Sequence, residues 1–397
     1  MRLINNAKII DIMERTFNLV DPRMEGHGMR VAYRLFKAVQ PLGLYDDERL
    51  RDICILGLLH DIGAYKTEDI NGILDFDIKN TWNHSVYGYL FLKHFSPIKD
   101  LAPLILFHHA DKSQMAALND EQQKLVLLLQ TADHMDIMHH IKKDSTSLES
   151  KDYLAMDEDI EFNRIFRNMA FTSKAVEDYV KMMVYFIDSR SPQTMLHTFA
   201  ATHVAVSLAR LAHVDEKHIE SVATGAMLHD IGKMGTPLYI LEGTVNPLSS
   251  SHMEIMKEHV VHSKDILQGC LTDQIFNIAV NHHEKLNGKG YPRGLDESSL
   301  HYLDKLMAVA DIFSAMLVSR SYQPALSKEK AIQVLCGLGE RRLLDPTIVK
   351  LAVTHYDDIN KSLVIQSKPV IDAYKIIKEE SDWIHNEIAN GRFNLIR

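Results

Sequence analysis

The sequence AVNHHEKLNGKGYPRGL, from Ala279 to Leu295, decides how the chain is interpreted. It begins at the end of a predicted helix, where His282 and His283 are adjacent and Glu284 follows. It then enters a glycine-rich loop, and glycine lets a backbone turn at positive φ and approach a ligand closely. The loop contains Gly290-Tyr291-Pro292, which places an aromatic ring shortly after two imidazoles. Adjacent imidazoles beside such a loop indicate a metal site.

Further polar residues lie on either side of this loop. The segment MLHDIGKMGTP contains His229, Asp230 and Lys233, and AVADIFSAM contains Asp311. Successive helical side chains diverge by about 100°, so two adjacent ligands are expected to serve two neighbouring ions, with Asp230 as a bridge. Imidazole and carboxylate ligands without thiolate suit Fe, Mn, Ni, Co or Zn. Two such ions, about 3.5–4 Å apart, can activate a hydroxide and clamp a phosphoryl group. Lys233 would then neutralise a phosphate oxygen or protonate the leaving group.

The composition is that of a soluble globular protein, and 397 residues predict two domains. No segment approaches the roughly 18 uninterrupted apolar residues of a membrane helix, and the N-terminus lacks a signal-peptide core. The three cysteines are scattered, so neither a disulfide framework nor a thiolate zinc site is expected. A cytoplasmic protein is therefore predicted. The net charge of −9 argues against polymeric nucleic acid and anionic membranes as partners, but it is compatible with a small phosphorylated ligand.

The apolar pattern predicts an all-α protein. Glycine and proline are sparse inside the long periodic segments, and strand-like alternation is rare. The predicted helices include His27–Val39, a long helix over Asp159–Ser189, and a final helix over Ile371–Asn390. We expect the apolar face of the final helix to pack on the second domain; a dimer contact is the alternative.

The two halves of the chain repeat one pattern, in which LLHDIG of the first half aligns with MLHDIG of the second. The aligned residues of the first half are His27, His60, Asp61, His84, His108, His109 and Asp133. Their counterparts are His197, His229, Asp230, His259, His282, His283 and Asp311. Seven potential ligands in the same order, twice, predict two tandem helical domains, residues 1–189 and 190–397.

These motifs make the second half, from about Ser191 to Gln323, resemble the HD-GYP subfamily of HD-superfamily phosphohydrolases. It carries HDIGK at His229–Lys233, HHE at His282–Glu284 and GYP at Gly290–Pro292. The resemblance implies an all-helical fold, a non-haem di- or trinuclear metal centre, and hydrolysis of cyclic dinucleotides. The expected substrates are cyclic di-GMP and 3′,3′-cyclic GMP-AMP, and the expected products are the linear dinucleotide, pGpG or pApG, or mononucleotides.

The resemblance also assigns roles to particular residues. It implies the metal ligands His197, His229, Asp230, His259, His282, His283 and Asp311. Lys233 and Arg320 would contact phosphate, with Asp230 and Lys233 carrying the catalysis. Tyr291 would shape the site or meet a signalling partner through the GYP loop. A homodimer is left open.

The second half departs from the family at three positions. Members with a third metal have a glutamate where this chain has Gln193, so two metals are expected. Ser314 stands where aspartate is frequent, and Gln323 replaces a frequent basic residue. The loss of that basic residue removes one expected phosphate contact.

The first half resembles an HD domain without the GYP loop. Ala64 replaces the lysine of the motif, and HHADKSQM replaces the loop. Efficient dinucleotide hydrolysis is not expected there. A regulatory or dimerisation domain is predicted, and whether its histidines bind metal or only pack remains open.

The sequence as a whole predicts a metal-dependent cyclic dinucleotide phosphodiesterase that takes part in second-messenger signalling. Two alternatives remain. One is a receptor that binds a cyclic dinucleotide without hydrolysing it, and the other is an HD-type phosphohydrolase of another nucleotide.

Overall fold

A computed structural model describes residues 8–64, 81–141, 155–191, 194, 196–242, 249–318 and 326–396. The chain forms two compact units. One comprises Asn6–Met182 together with Ala373–Arg397, and the other consists mainly of Met183–Asp372. The described residues form helices and connecting turns, with a lone antiparallel bridge between Asn287 and Asp296. The predicted all-α fold is confirmed.

The first unit is built from helices of moderate length. They are α1 (Ile9–Phe17), α2 (His27–Val39), α3 (Asp47–Leu59), α4 (Thr81–Phe95), α5 (Ala102–Leu106), α6 (Asp120–Asp136), the short α7 (Ile160–Phe162) and most of α8 (Ser173–Ser189). A π-helical turn, Ile137–Ile141, continues α6, and another, Asn163–Arg167, continues α7. Helix α2 packs against α3 and α6, which brings their polar ends together.

The second unit repeats this arrangement. Its helices are α9 (His197–Leu211), α10 (Glu216–Leu228), α11 (Leu238–Leu241), α12 (Ser250–Leu267), α13 (Asp273–Val280), α14 (Tyr302–Leu317), α15 (Lys328–Glu340), α16 (Pro346–Thr354) and the first part of α17 (Tyr356–Ala389). A 3-10 segment, Ile231–Gly235, follows α10.

The core of the second unit lies between α9, α10 and α14. Ala201, Val204 and Leu208 of α9 and Val309 and Phe313 of α14 are fully buried in one apolar cluster. Burying these side chains supplies most of the driving force that holds the helices in place. Because α9 and α14 are held along their length, the polar residues that they carry have fixed positions.

The predicted helix over Asp159–Ser189 is wrong, because the chain leaves helical geometry after Arg167 and starts a new helix at Ser173. The hydroxyl of Thr172 accepts a hydrogen bond from the backbone N–H of Ala175 at 3.1 Å, which begins the second helix in the manner of an N-cap. Helix α8 then crosses from one unit to the other at Met182.

The tail also differs from its prediction. Helix α17 has 34 residues and continues through Pro369, so it begins well before Ile371. Its last part, from Ala373, belongs to the first unit, where Glu380 accepts hydrogen bonds from Lys93 at 3.0 Å and pairs with His94. The tail therefore does not pack on the second domain along its whole length.

Among the described residues, no helix is both long enough and apolar enough to cross a membrane.

Candidate metal centres

The candidate ligands of the second unit lie at or near helix ends that converge. His197 begins α9, His229 and Asp230 directly follow α10, and Asp311 lies within α14. His282 and His283 follow α13. Together with His259 of α12, these side chains form three overlapping groups whose donor atoms lie within 4.8 Å of one another. The structure thus brings together all seven residues that the sequence selected.

A glycine makes part of this convergence sterically feasible. A Cβ atom on Gly232 would lie 2.0 Å from the carbonyl oxygen of His259, closer than any side chain allows. The backbone N–H of Gly232 donates to the Ser263 hydroxyl at 2.9 Å, and that hydroxyl donates to the carbonyl oxygen of His229 at 2.9 Å. Close contact between the 3-10 segment and α12 therefore places His229 and Asp230 beside His259.

Asp230 lies at the middle of the site. Its Oδ2 is 3.2 Å from Nε2 of His197 and 3.1 Å from Nε2 of His229. Its Oδ1 is 3.3 Å from Nε2 of His259 and 4.0 Å from Nε2 of His282. One carboxylate therefore faces two pairs of imidazoles through its two oxygens. This geometry supports the prediction that Asp230 bridges two ions.

Asp311 and the adjacent histidines complete the site. Oδ1 of Asp311 is 3.2 Å from Nε2 of His197, and its Oδ2 is 3.6 Å from Nδ1 of His283. The rings of His282 and His283 have centroids 4.1 Å apart, and both belong to one group with His259. Adjacent side chains of a helix diverge by about 100°, but this does not apply to His282 and His283, because α13 ends at Val280, before both.

Backbone carbonyls fix the orientation of three imidazoles. Nδ1 of His229 is 2.7 Å from the carbonyl oxygen of Ala226, and Nδ1 of His282 is 2.6 Å from that of Ala279. Nδ1 of His259 is likewise bonded to the carbonyl oxygen of Met256. In each ring Nδ1 is thereby the donor, so Nε2 presents its lone pair to the cluster.

The electrostatics of the site favour a bound cation. Burial lowers the pKa of His259 to about 4 and that of His283 to about 3, so both imidazoles are neutral near pH 7. Burial and Lys233 would lower the pKa of His197, but the carboxylates of Asp230 and Asp311 outweigh both and raise it to about 9. These carboxylates therefore favour positive charge between them, which divalent ions would supply. Oδ1 of Asp230 is also buried with no hydrogen-bond partner among the described residues.

The GYP loop closes over one side of the site. The buried carboxylate of Glu284 accepts hydrogen bonds from the backbone N–H groups of Arg293 at 2.7 Å and of Leu295 at 2.9 Å. A Cβ atom on Gly290 would lie 2.4 Å from Cα of Glu284, so the loop returns closely onto the HHE segment. The ring of Tyr291 lies 4.7 Å from that of His283, measured between centroids. Lys233 pairs with Asp230 on the same site.

Arg320, Gln193 and Gln323 lie outside the described residues. Their predicted roles stay predictions.

The candidate residues of the first unit also come together. His27, His60, Asp61 and Asp133 form one group with donor atoms within 4.8 Å, and Asp61, His84, His108 and His109 form a second. A Cβ on Gly63 would lie 1.9 Å from the carbonyl oxygen of His84, as with Gly232 and His259. The repeat seen in sequence is thus a repeat of side-chain geometry.

Several contributing residues were not assigned a role from sequence. Gly63 and Gly232 could have been found, since both stand in the repeated LHDIG segment. For Glu284, which holds the GYP loop, the only signal in the sequence was its position in the HHE motif. Ser263 gave no local signal.

Comparison with known proteins agrees with this arrangement. A family model described as an HD domain matches residues 181–348, and a second HD-domain model matches residues 24–138. The chain belongs to the HD superfamily and carries two HD domains. The second HD domain contains the HD-GYP motifs, so the resemblance found in sequence is confirmed.

Curated relatives align with large parts of the chain. The chain is 25% identical over 381 residues to 3′3′-cGAMP-specific phosphodiesterase 1 of Vibrio cholerae, covering 83% of this chain and 88% of the relative. It is 31% identical over 202 residues to a cyclic di-GMP phosphodiesterase of Thermotoga maritima, covering half of each chain. It spans 47% of the length of 3′3′-cGAMP-specific phosphodiesterase 2 of V. cholerae, at 28% identity over 57% of this chain.

A solved structure has the same fold over most of its length. The crystal structure of a cyclic GMP-AMP-specific phosphodiesterase of V. cholerae, V-cGAP3, matches with a TM-score of 0.52 at 16% identity. The match covers 89% of this chain and 98% of that one. At this identity the likeness bears on fold alone.

Proposed function

We propose that the second HD domain hydrolyses a phosphodiester bond of a cyclic dinucleotide, with a pair of divalent metal ions as cofactor. The observation that carries this proposal is the arrangement of six donors around Asp230, with Lys233 on the same carboxylate. The names of two relatives that align with the chain, one a 3′3′-cGAMP-specific and one a cyclic di-GMP phosphodiesterase, support the substrate class. The alignment to a 3′3′-cGAMP-specific enzyme over most of both chains favours that dinucleotide.

The donor set fits two ions. One would be held by His197, His229 and Asp311, and the other by His259, His282 and His283, with Asp230 between them. When bound, such a pair supplies Lewis acidity towards a phosphodiester and makes water a better nucleophile. Neutral imidazoles and ionised carboxylates are the forms that bind first-row divalent ions, and the direction of each pKa shift favours these forms for Asp230, His259 and His283.

The chain's own residues would bind and orient the substrate. The ammonium group of Lys233 pairs with Asp230 and would turn towards a non-bridging phosphate oxygen, where it offsets the charge that develops. Tyr291 offers a ring face beside His283, on which a nucleobase would stack. The side chain of His283 is 23% exposed and that of Lys233 14%, so substrate would approach from this side.

The test is a chromatographic time course with matched variants of the full chain. Wild type is offered cyclic di-GMP and 3′,3′-cyclic GMP-AMP in parallel, beside Asp230→Ala and the equivalent first-domain variant Asp61→Ala. We expect a linear dinucleotide from wild type and no turnover by Asp230→Ala. Turnover that survives Asp230→Ala but is lost in Asp61→Ala would place the reaction in the first HD domain and contradict the proposal. Tight binding of either dinucleotide without product would instead favour the receptor.

A further inference from the structure

The first HD domain contains a complete set of metal donors with no substrate-binding loop of the GYP type. Its two donor groups share Asp61. Oδ2 of Asp61 is 3.4 Å from Nε2 of His60, while its Oδ1 is 3.5 Å from Nε2 of His108 and 3.7 Å from Nε2 of His84. The Nε2 atoms of His27 and His60 are 3.3 Å apart. One carboxylate again faces imidazoles through both of its oxygens.

These donors lack other partners although they are buried. Both carboxylate oxygens of Asp61, both ring nitrogens of His84, Nε2 of His108 and Oδ1 of Asp133 form no hydrogen bond of regular geometry with the described residues. The members of the cluster only approach one another, as Nε2 of His27 approaches Oδ1 of Asp133 at 3.3 Å. A buried polar atom without a partner costs about 1–3 kcal/mol, and a buried charge costs more. Histidines retained only for packing would be expected to find hydrogen-bond partners. A cluster of this cost is explained if cations bind to it.

An outer carboxylate holds the first imidazole of this cluster. Nδ1 of His27 bonds to Oδ2 of Asp136 at 2.8 Å, and both residues are buried. Arg30 donates from Nε to Oδ1 of Asp136 at 2.9 Å and from its Nη2 to Oδ2 at 3.0 Å. Nε2 of His27 is therefore aimed into the cluster by a carboxylate that is itself held by an arginine.

Among the described residues of the second HD domain, no such support is seen. The residue equivalent to Asp136 is Ser314, whose hydroxyl donates to the carbonyl oxygen of Asp311 in its own helix at 2.8 Å. Nδ1 of His197 is buried and has no hydrogen-bond partner within the described part of the chain. An outer partner of this kind is worth about 10–100-fold in metal affinity.

The lysine of the second domain adds to the difference. Lys233 pairs with Asp230 and so opposes a cation on the same carboxylate. The equivalent residue of the first domain is Ala64, which is fully buried, so no ammonium at that position opposes a cation on Asp61.

From this geometry we infer that the first HD domain also contains a dinuclear metal centre, and that this centre binds divalent transition-metal ions more tightly than the second HD domain does. Its two ions would be held by His27, His60 and Asp133 on one side and by His84, His108 and His109 on the other, with Asp61 between. The comparison rests on the metal pair proposed for the second HD domain, but it does not depend on the proposed hydrolysis.

The test is metal retention by the full chain. Protein reconstituted with Co²⁺ alone is dialysed against increasing chelator concentrations, and bound cobalt per chain is measured by elemental analysis. The cobalt bound per chain of wild type should fall in two steps, from about four ions to about two and then to none. Asp230→Asn should retain the chelator-resistant ions, whereas the matched variant Asp61→Asn should lose them. Asp136→Asn should release them at a chelator concentration about 10–100-fold lower.

Three results would overturn the inference: a single step in wild type, unchanged resistant cobalt in Asp61→Asn, or loss of the resistant ions in Asp230→Asn alone. His84→Gln removes a different ligand of the same centre, and circular dichroism identifies any variant that fails to fold. If Asp61→Asn does not fold, His84→Gln decides the question by the same criterion. Turnover of a dinucleotide does not enter these measurements, so failure of the proposed function would leave the result interpretable.

Discussion

Lys233 forms an ion pair with Asp230, the carboxylate that faces four imidazoles of the second HD domain. The lysine follows the aspartate within one 3-10 turn, and both side chains are largely buried. A substrate phosphate would offer this ammonium group a second anion close to the first. The pair therefore connects metal binding with substrate binding through one contact.

Replacing Lys233 by alanine should slow hydrolysis without removing metal. We expect kcat to fall by about 10²–10³-fold, the usual cost of losing one charged group that stabilises a transition state. Metal content should remain or rise, because the carboxylate of Asp230 loses its competing cation. Steady-state kinetics and elemental analysis on the same preparation check both results.

The matched control is Lys217→Ala, at an exposed position near the start of α10, away from the ligand-bearing end of that helix. It should leave both kcat and metal content unchanged. If Lys233→Ala retained full turnover, the phosphate-binding role of this lysine would be wrong.

Gly232 should be intolerant of even one added methyl group. A Cβ there meets the carbonyl oxygen of His259 at 2.0 Å and the backbone nitrogen of Ser263 at 2.5 Å, so the 3-10 segment must move away from α12. Gly232→Ala should cost about 1–3 kcal/mol of unfolding free energy and weaken metal binding, since His229 and Asp230 move with the segment. Thermal melting and metal analysis measure the two effects.

Gly337→Ala is the corresponding control, because a Cβ at this position in α15 meets nothing within 4 Å. That substitution should stabilise the protein by about 0.5–1 kcal/mol through helix propensity. Equal melting temperatures for the two variants would contradict the steric argument at Gly232.

Much of the fold and of the candidate site could be predicted from local patterns. Helix α2 has the predicted bounds, His27–Val39, because its apolar periodicity is strong and turn residues stand on both sides. The ligand set came from a repeated order of histidines and aspartates, which needs no knowledge of tertiary contacts. The all-α class followed from the same periodicity.

The predictions were wrong for segments whose structure depends on a distant contact or on a single capping residue. The break before α8 depends on Thr172, one polar residue in a segment that otherwise has helical periodicity. The place of the last helix depends on contacts such as that of Glu380 with Lys93, 287 residues apart in sequence. The support of His27 by Asp136 joins residues 109 apart, so no local pattern contains it.

Glu284 should be needed for the structure of the GYP loop. Its two carboxylate oxygens each accept one backbone N–H, so Glu284→Gln would set an NH₂ group, which cannot accept, against one of these two donors. The loss of a buried hydrogen bond costs about 1–3 kcal/mol. We expect faster hydrogen exchange at Arg293 and Leu295, and a higher KM because Tyr291 is no longer fixed beside His283.

Glu297→Gln provides the control within the same loop, since Glu297 pairs with Arg342 at the surface. An exposed ion pair contributes little, so this variant should exchange and react as wild type does. Unchanged exchange at Arg293 and Leu295 in Glu284→Gln would show that other contacts hold the loop.

Asp52, in α3, should make the protein less stable as the pH rises. Burial raises the pKa of this carboxyl from 3.8 to about 6, so the folded chain binds the proton more tightly than the unfolded chain does. The free energy of unfolding therefore falls between about pH 4 and pH 6, and the loss is complete above that range. Asp52→Asn removes the loss. After solvent screening of this partly exposed group, a gain on the order of 1 kcal/mol corresponds to a melting temperature about 2–4 °C higher at pH 8.

The difference between wild type and Asp52→Asn should shrink towards zero below about pH 3, where the carboxyl is protonated in both states. Asp47→Asn in the same helix has the opposite sign, because a hydrogen bond from Arg164 lowers the pKa of Asp47. Its carboxylate stabilises the folded state above about pH 4, so its removal should lower the melting temperature at pH 8 slightly, as expected of an exposed pair. A lower melting temperature for Asp52→Asn at pH 8, or an equal shift at pH 4 and pH 8, would mean that burial does not raise the pKa of Asp52.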